Sequence, residues 1–161
     1  MTFEVSKRFE FDAAHRLMEH PGKCKNIHGH RYVAEVVIQH NTSVVGEMAS
    51  GMVIDFGVLK EVVGSWIDKA WDHCLILNDR DPLVSLLLTS QLGEDIPNMF
   101  LTVGDPTAEN MAEILYRKAR DLLYLSGPLD VASTLSPKET KIVTARIWET
   151  PTSVAEYREE R

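Results

Sequence analysis

Two runs of strict alternation constrain this chain more than anything else in it. Phe3, Val5, Phe9 and Phe11 alternate with Thr2, Glu4, Ser6, Arg8 and Glu10, the period-2 pattern of a strand with one buried face. Lys7 is the one polar residue on that apolar face. A second run places Tyr32, Ala34, Val36 and Ile38 on its even face. Carried forward, the odd face of the first run reaches Ala13 and then His15. Carried backward, the even face of the second reaches His30 and His28. Side chains two apart on a strand share a face, so parity in two separate runs directs three imidazoles to the core side. Residues 16–27 contain Pro21 and Gly22 and read as a loop. An antiparallel hairpin across that loop brings His15 opposite the His28/His30 pair.

Farther along, residues 41–51 read as a polar connection. Asp55 is placed to cap a helix in which Val58, Leu59, Val62, Val63, Trp66, Ile67 and Ala70 repeat at helical spacing. That helix runs out in Trp71-Asp72-His73-Cys74, followed by the apolar Leu75-Ile76-Leu77. Asp81-Pro82 opens a short helix that Gly93 stops, and Met99 to Val103 is a short apolar piece of open assignment. Thr107 caps a second long helix with Met111, Ile114, Leu115, Leu122 and Leu123 on one stripe. Ser126 to Lys138 reads as a loop. Val143, Ala145 and Ile147 then alternate in a strand whose inner face extends to Glu149, and a last strand covers Ser153 to Arg158. Hairpins on either side of a helical pair predict an α+β fold, an antiparallel sheet of four strands with both helices on one face. No repeat or linker divides the 161 residues, so one domain, 1–161, is expected.

The net charge of −7 does not favour nucleic acid or a membrane surface as partner. The first 31 residues carry six basic residues against four acidic ones, a mild excess that suits an anionic small molecule or is no more than a surface fluctuation. No apolar run approaches the roughly 20 residues of a membrane span. The two cysteines, Cys24 and Cys74, suggest no disulfide framework, and a cytoplasmic, reducing setting is the expectation.

His15, Cys24, His28 and His30 fall within sixteen residues, all of them ligand types that zinc accepts. Three histidines with an open position describe a catalytic zinc site, and Cys24 as a fourth ligand describes a closed structural one. The spacing leaves that choice open. Lys23 and Lys25 flank Cys24, and neighbouring cations favour the thiolate as nucleophile or base. Cys74, beside an apolar run, reads as a small core residue. Asp72 and His73 are adjacent, an arrangement able to tune a histidine for proton transfer and equally common in solvated loops. Glu149 is either a frayed strand end or a carboxylate aimed inward to anchor a ligand.

The segments F-D-A-A-H-R-L, C-K-N-I-H-G-H-R-Y, I-D-F-G-V-L-K, W-D-H-C-L-I-L-N-D and P-T-A-E-N-M-A, in that order between Phe11 and Glu149, resemble the 6-pyruvoyl-tetrahydropterin synthase / 6-carboxytetrahydropterin synthase family. The three-residue gap between Cys24 and His28 resembles the bacterial carboxytetrahydropterin branch, which feeds queuosine and deazapurine synthesis. The resemblance implies a T-fold whose subunits assemble into barrels, as a hexamer or another homo-oligomer. It implies Zn2+ on His15, His28 and His30, a catalytic set of Cys24, Asp72 and His73 with Cys24 as base, and Glu149 as the anchor of the pterin ring. Thr107 and Glu109 match the segment lining the pterin pocket. The implied substrate is 7,8-dihydroneopterin triphosphate, converted to 6-carboxytetrahydropterin with loss of acetaldehyde and triphosphate. Two other readings stand beside it, the pyruvoyl-forming sister enzyme and a non-catalytic zinc-stabilised interaction module. The chain departs from the family's frequent Lys-Glu-Thr at Trp148-Glu149-Thr150, and its connections near 79–104 and 126–138 look longer than in compact bacterial members.

Overall fold

The two alternating runs form the long hairpin on which the rest is built. In the computed structural model, which describes residues 1–41, 51–90, 97–125 and 140–159, strands β1 (Thr2–His15) and β2 (His28–Asn41) pair antiparallel along their whole length. The register sets His15 opposite His28 and Ala13 opposite His30. The odd side chains of β1 sink toward its end, through Phe11 and Ala13 to His15, which is 1% exposed. A 3-10 turn over Lys23–Lys25 lies in the connecting loop. Gly29 lets the two strands approach closely between the histidines of β2, since a Cβ there would crowd the Ala13 carbonyl oxygen at 3.2 Å.

One face of this hairpin is covered by helices. Phe56–Leu59, a π-helical stretch Lys60–Gly64 and Ser65–Ala70 run on as one helix, α1, begun by Asp55, whose carboxylate accepts from the Gly57 N–H at 2.7 Å. Helix α2 (Pro82–Thr89) is capped by Asp81 and α3 (Ala108–Tyr124) by Thr107. Leu59, Val63, Ile67 and Trp71 from the first helix and its end meet Met111, Leu115, Ala119 and Leu123 from the third over Phe11, Tyr32, Val36 and Ile38. Nearly every one of these side chains is fully buried, the Val, Leu, Ile, Met and Phe side chains each contributing about 1.5–3 kcal/mol of transfer free energy.

The sheet has six strands, in the order β4-β3-β1-β2-β5-β6, not four. The additions are β3 (Cys74–Asn78) and β4 (Met99–Thr102), the apolar pieces that periodicity left open. Strand β3 pairs parallel to β1 and β4 parallel to β3, so the sheet is mixed and three helices rather than two accompany it. A strand buried throughout, as β3 is, shows no alternation to read. Strand β5 (Thr140–Thr150) pairs antiparallel with β2 and with β6 (Ser153–Tyr157). Its register slips at Val143, and Ile142 instead takes the core position before Ala145 and Ile147. Gly93 and the connections 42–50 and 126–138 lie outside the described residues.

The sheet face away from the helices is polar. Glu35, 3% exposed, accepts from Ser6, Arg8 and Arg146 at 2.7–3.0 Å. Burial pushes its carboxyl up, but the hydrogen bonds from Arg146, Arg8 and Ser6 outweigh this and hold it below the usual range. Among the described residues no helix is long and apolar enough to cross a membrane.

Candidate metal centre

The parity of the hairpin brings three rings into one cluster. The potential ligand atoms of His15, His28 and His30 all lie within 4.8 Å of one another, and among the described residues this is the group suited to a metal ion. His15 Nδ1 lies 2.9 Å from the Pro106 carbonyl oxygen, and His28 Nδ1 lies 2.8 Å from that of Asn26. A carbonyl only accepts, so each Nδ1 carries the proton and each Nε2 presents a lone pair. Those two lone pairs face each other at 3.2 Å. Nε2 of His30 is buried without a hydrogen-bond partner. Burial lowers the pKa of both His15 and His30, which favours the neutral ring that binds a metal. Facing lone pairs, an orphaned ring nitrogen and fixed tautomers fit one cation shared by three imidazoles.

Glu149 completes the surround. It stands at a slip in the β5–β6 register, between the pairs Trp148–Val154 and Thr150–Ser153. Such bulges re-aim a side chain, often beside a functional site. Its Oε1 lies 3.4 Å from His15 Nε2 and 3.8 Å from His30 Nε2. A carboxylate against the unprotonated Nε2 of His15 is a further arrangement that a cation resolves. Glu149 also lines a cleft of about 220 Å3 with Thr107, Glu109, Leu17 and Ser153. The Thr107 hydroxyl is engaged in capping α3, accepting from the Asn110 N–H at 3.3 Å.

Cys24 sits half-buried on the 3-10 turn, its thiol free, and its sulfur is not a member of the three-histidine cluster. Lys23 and Lys25 beside it are exposed. Three of the other four cations of this region are paired with carboxylates: Arg8 with Glu35, Arg16 with Asp81, and Arg31 with Glu10 and Asp12. The basic excess is therefore largely neutralised within the fold.

Asp72 and His73 form a dyad, with His73 Nδ1 2.8 Å from Asp72 Oδ2. The backbone N–H of Asp12 donates to Asp72 at 2.9 Å, and the N–H of His73, at φ +54°, donates to the Asp12 carbonyl at 2.7 Å. The Asp12 N–H holds the Asp72 carboxyl below its ordinary range, and Asp72 in turn raises the pKa of His73. His73 lines a hollow of about 590 Å3 that includes Asp12, Ala14, Gly29 and Arg31, residues of the parity opposite to the three histidines, along with His30. Among the described residues no hydrogen bond joins the dyad to Cys24.

Sequence reading missed the backbone carbonyls of Pro106 and Asn26 that fix the rings. It also missed Tyr32, fully buried and edge-on to His15 and His30, with no partner for its hydroxyl. Carbonyl acceptors leave no trace in residue type, and Tyr32 reads simply as core.

A model of the 6-pyruvoyl tetrahydropterin synthase family matches residues 4–160. The chain belongs to this family. It is 35% identical over 160 residues to a 6-carboxy-5,6,7,8-tetrahydropterin synthase of Haemophilus influenzae, covering 98% of this chain and 99% of that one. It is 38% identical over 130 residues to the enzyme of that name from Rickettsia conorii, covering 81% and 89%. The fold is that of an uncharacterized protein of Wolinella succinogenes, with a TM-score of 0.77 and 22% identity over 99% of each chain. It is likewise that of Caenorhabditis elegans 6-pyruvoyl tetrahydropterin synthase, with a TM-score of 0.61 and 24% identity over 99% and 97%.

Proposed function

We propose that this chain is a zinc-dependent 6-carboxytetrahydropterin synthase, acting on 7,8-dihydroneopterin triphosphate. A water is consumed, and 6-carboxy-5,6,7,8-tetrahydropterin, acetaldehyde and triphosphate are formed. The observation that carries the reading is the three-imidazole cluster, with the Nε2 lone pairs of His15 and His28 turned toward each other, in a chain whose near full-length relatives bear that enzyme's name. Three neutral imidazoles with a remaining open position suit zinc. Zinc bound there would supply Lewis-acid polarisation of a substrate oxygen.

The chain's own groups divide the remaining work. Cys24, as thiolate, takes the proton from the side-chain carbon next to the polarised oxygen. His73, held protonated by Asp72, returns a proton. Glu149, at the mouth of the cleft shared with Thr107 and Glu109, accepts two hydrogen bonds from the N–H edge of the pterin. Tyr32, stacked on Phe11, packs edge-on against His15 and His30 and closes the core side of the cluster.

The dyad lines a hollow among residues of the other sheet face, so its part in this scheme goes with assembly. Among the described residues, β1 finds a partner strand on its β3 side only at Ala13–His15, which leaves the edge of Thr2–Phe11 available to another chain. A homo-oligomer closed by edge pairing, a hexamer or another T-fold barrel, fills that edge and presents the dyad of one copy to the cluster of the next.

The test is to incubate the zinc-loaded protein anaerobically with dihydroneopterin triphosphate, trap aldehydes and identify the pterin by mass. Carboxypterin with acetaldehyde is expected. A pyruvoyl pterin without acetaldehyde places the chain in the sister branch. Metal uptake with no turnover favours a zinc-stabilised binding module.

A further inference from the structure

We propose that the turn Asn78–Asp81, between β3 and α2, is the positioning element of metal ligand His15, gripping it from two directions without touching the metal. This rests on the metal reading of the three-histidine cluster.

The first grip is through the chain. Arg16, the residue after His15, donates from Nε to Asp81 Oδ2 at 2.6 Å and from a terminal nitrogen to Oδ1 at 2.5 Å. The Asp81 residue is 2% exposed, and its Oδ1 also accepts the Leu83 N–H at 2.8 Å. A bidentate guanidinium–carboxylate pair allows little rotation or sliding. The end of β1 is thus locked one residue beyond the ligand.

The second grip reaches the far side of the ring. Asn78, 7% exposed, accepts the Arg80 N–H on Oδ1 at 3.0 Å and donates from Nδ2 to Asp105 Oδ1 at 2.9 Å. The Asp105 carbonyl accepts from Asn110 Nδ2 at 2.7 Å and from the Thr107 N–H at 2.8 Å. The next residue is Pro106, whose carbonyl holds His15 Nδ1. Gly104, at φ +85°, makes the bend that turns this loop back toward β1. Both grips meet in one turn, because the Asp81 N–H donates to the Asn78 carbonyl at 2.9 Å. One four-residue unit therefore sets where His15 stands and which of its nitrogens carries the proton.

Partners in this position act on ligand basicity and orientation, and their loss typically lowers metal affinity or activity by about 10–100-fold. Asn78→Asp keeps the acceptor for Arg80 but sets a carboxylate against Asp105. Adding Asp105→Asn restores a donor and an acceptor with their order reversed. The measurements are competition titration with Zn2+, the visible absorption of the Co2+-loaded protein, and the 15N resonances of the His15 ring. Asn78→Asp should bind 10–100-fold more weakly, with an altered cobalt spectrum and a faster-exchanging Nδ1 proton. The double variant should return affinity to within a few-fold of wild type and restore the spectrum. Melting of the metal-free proteins separates this from loss of fold. Should Asn78→Asp not fold, Arg16→Lys, which keeps the charge and loses the bidentate grip, should show the same weakening. Wild-type affinity and an unchanged cobalt spectrum in a folded Asn78→Asp or Arg16→Lys overturn the positioning role. A wild-type protein that takes up neither ion overturns the metal reading first, and this inference with it.

Discussion

Replacing His28 by alanine separates the metal energy from the folding energy of this site. Structural zinc in small domains is bound with about 10–16 kcal/mol over four ligands, so one ligand is worth about 2.5–4 kcal/mol, or roughly 10²–10³ in affinity. With zinc at about 1,000 times the wild-type dissociation constant, linkage stabilises the fold by about 4.1 kcal/mol. The weakened variant keeps only about 0.4–1.4 kcal/mol at the same free zinc. At about 2–4 °C per kcal/mol for a domain of this size, the zinc-induced rise in Tm falls from about 8–16 °C to about 1–6 °C. The metal-free protein behaves differently. There His28→Ala loses the contact from Nδ1 to the Asn26 carbonyl, worth about 1 kcal/mol, but removes the Nε2 that faces His15 Nε2 at 3.2 Å. These oppose each other, and the metal-free Tm should move by no more than about 4 °C. Scanning calorimetry with and without zinc, alongside elemental analysis, reads both quantities. Full zinc occupancy with an undiminished Tm rise in the variant would falsify the ligand assignment. A metal-free Tm lowered by much more than 10 °C would show that the ring serves the fold instead.

Three further outcomes are expected. Cys24→Ala should retain zinc and lose turnover by on the order of 10²-fold or more, as for removal of a positioned base; an inactive protein that has also lost its zinc points to a fourth ligand. Glu149→Gln should weaken pterin binding with zinc retained, since an amide sets a donor against one ring N–H where two acceptors are needed; calorimetry giving unchanged pterin affinity removes Glu149 from the site. Asp72→Asn should shift the His73 titration to lower pH, because the Asp72 carboxylate is the main cause of its raised pKa. The imidazolium then persists only to a lower pH than in wild type, and an unmoved midpoint by NMR refutes the dyad.

The three-histidine cluster was legible from parity alone, because alternation on β1 and β2 is a local property with a long run to express it. One odd face carries Phe11, Ala13 and His15 into the core, and one even face carries His28, His30 and Tyr32 to meet it. The helix caps at Asp55, Asp81 and Thr107 were legible for the same reason, since each is settled within a few residues. Two strands were not. Buried on both sides, β3 shows no alternation, and β4 has only four residues. Both are recruited by parallel pairing across long crossovers, which local pattern does not encode. Glu149 shares the parity of Ala145 and Ile147 and was legible, whereas the same limit hid the slip at Val143 that seats Ile142 in the core. It also hid the grip on His15, where Arg16 meets Asp81 and Asn78 meets Asp105 across 65 and 27 residues of chain. Residue chemistry and short-range periodicity named the three histidines that the fold brings together. Which backbone carbonyls fix their protons, and which distant turn holds them still, was decided only when the sheet brought those segments together.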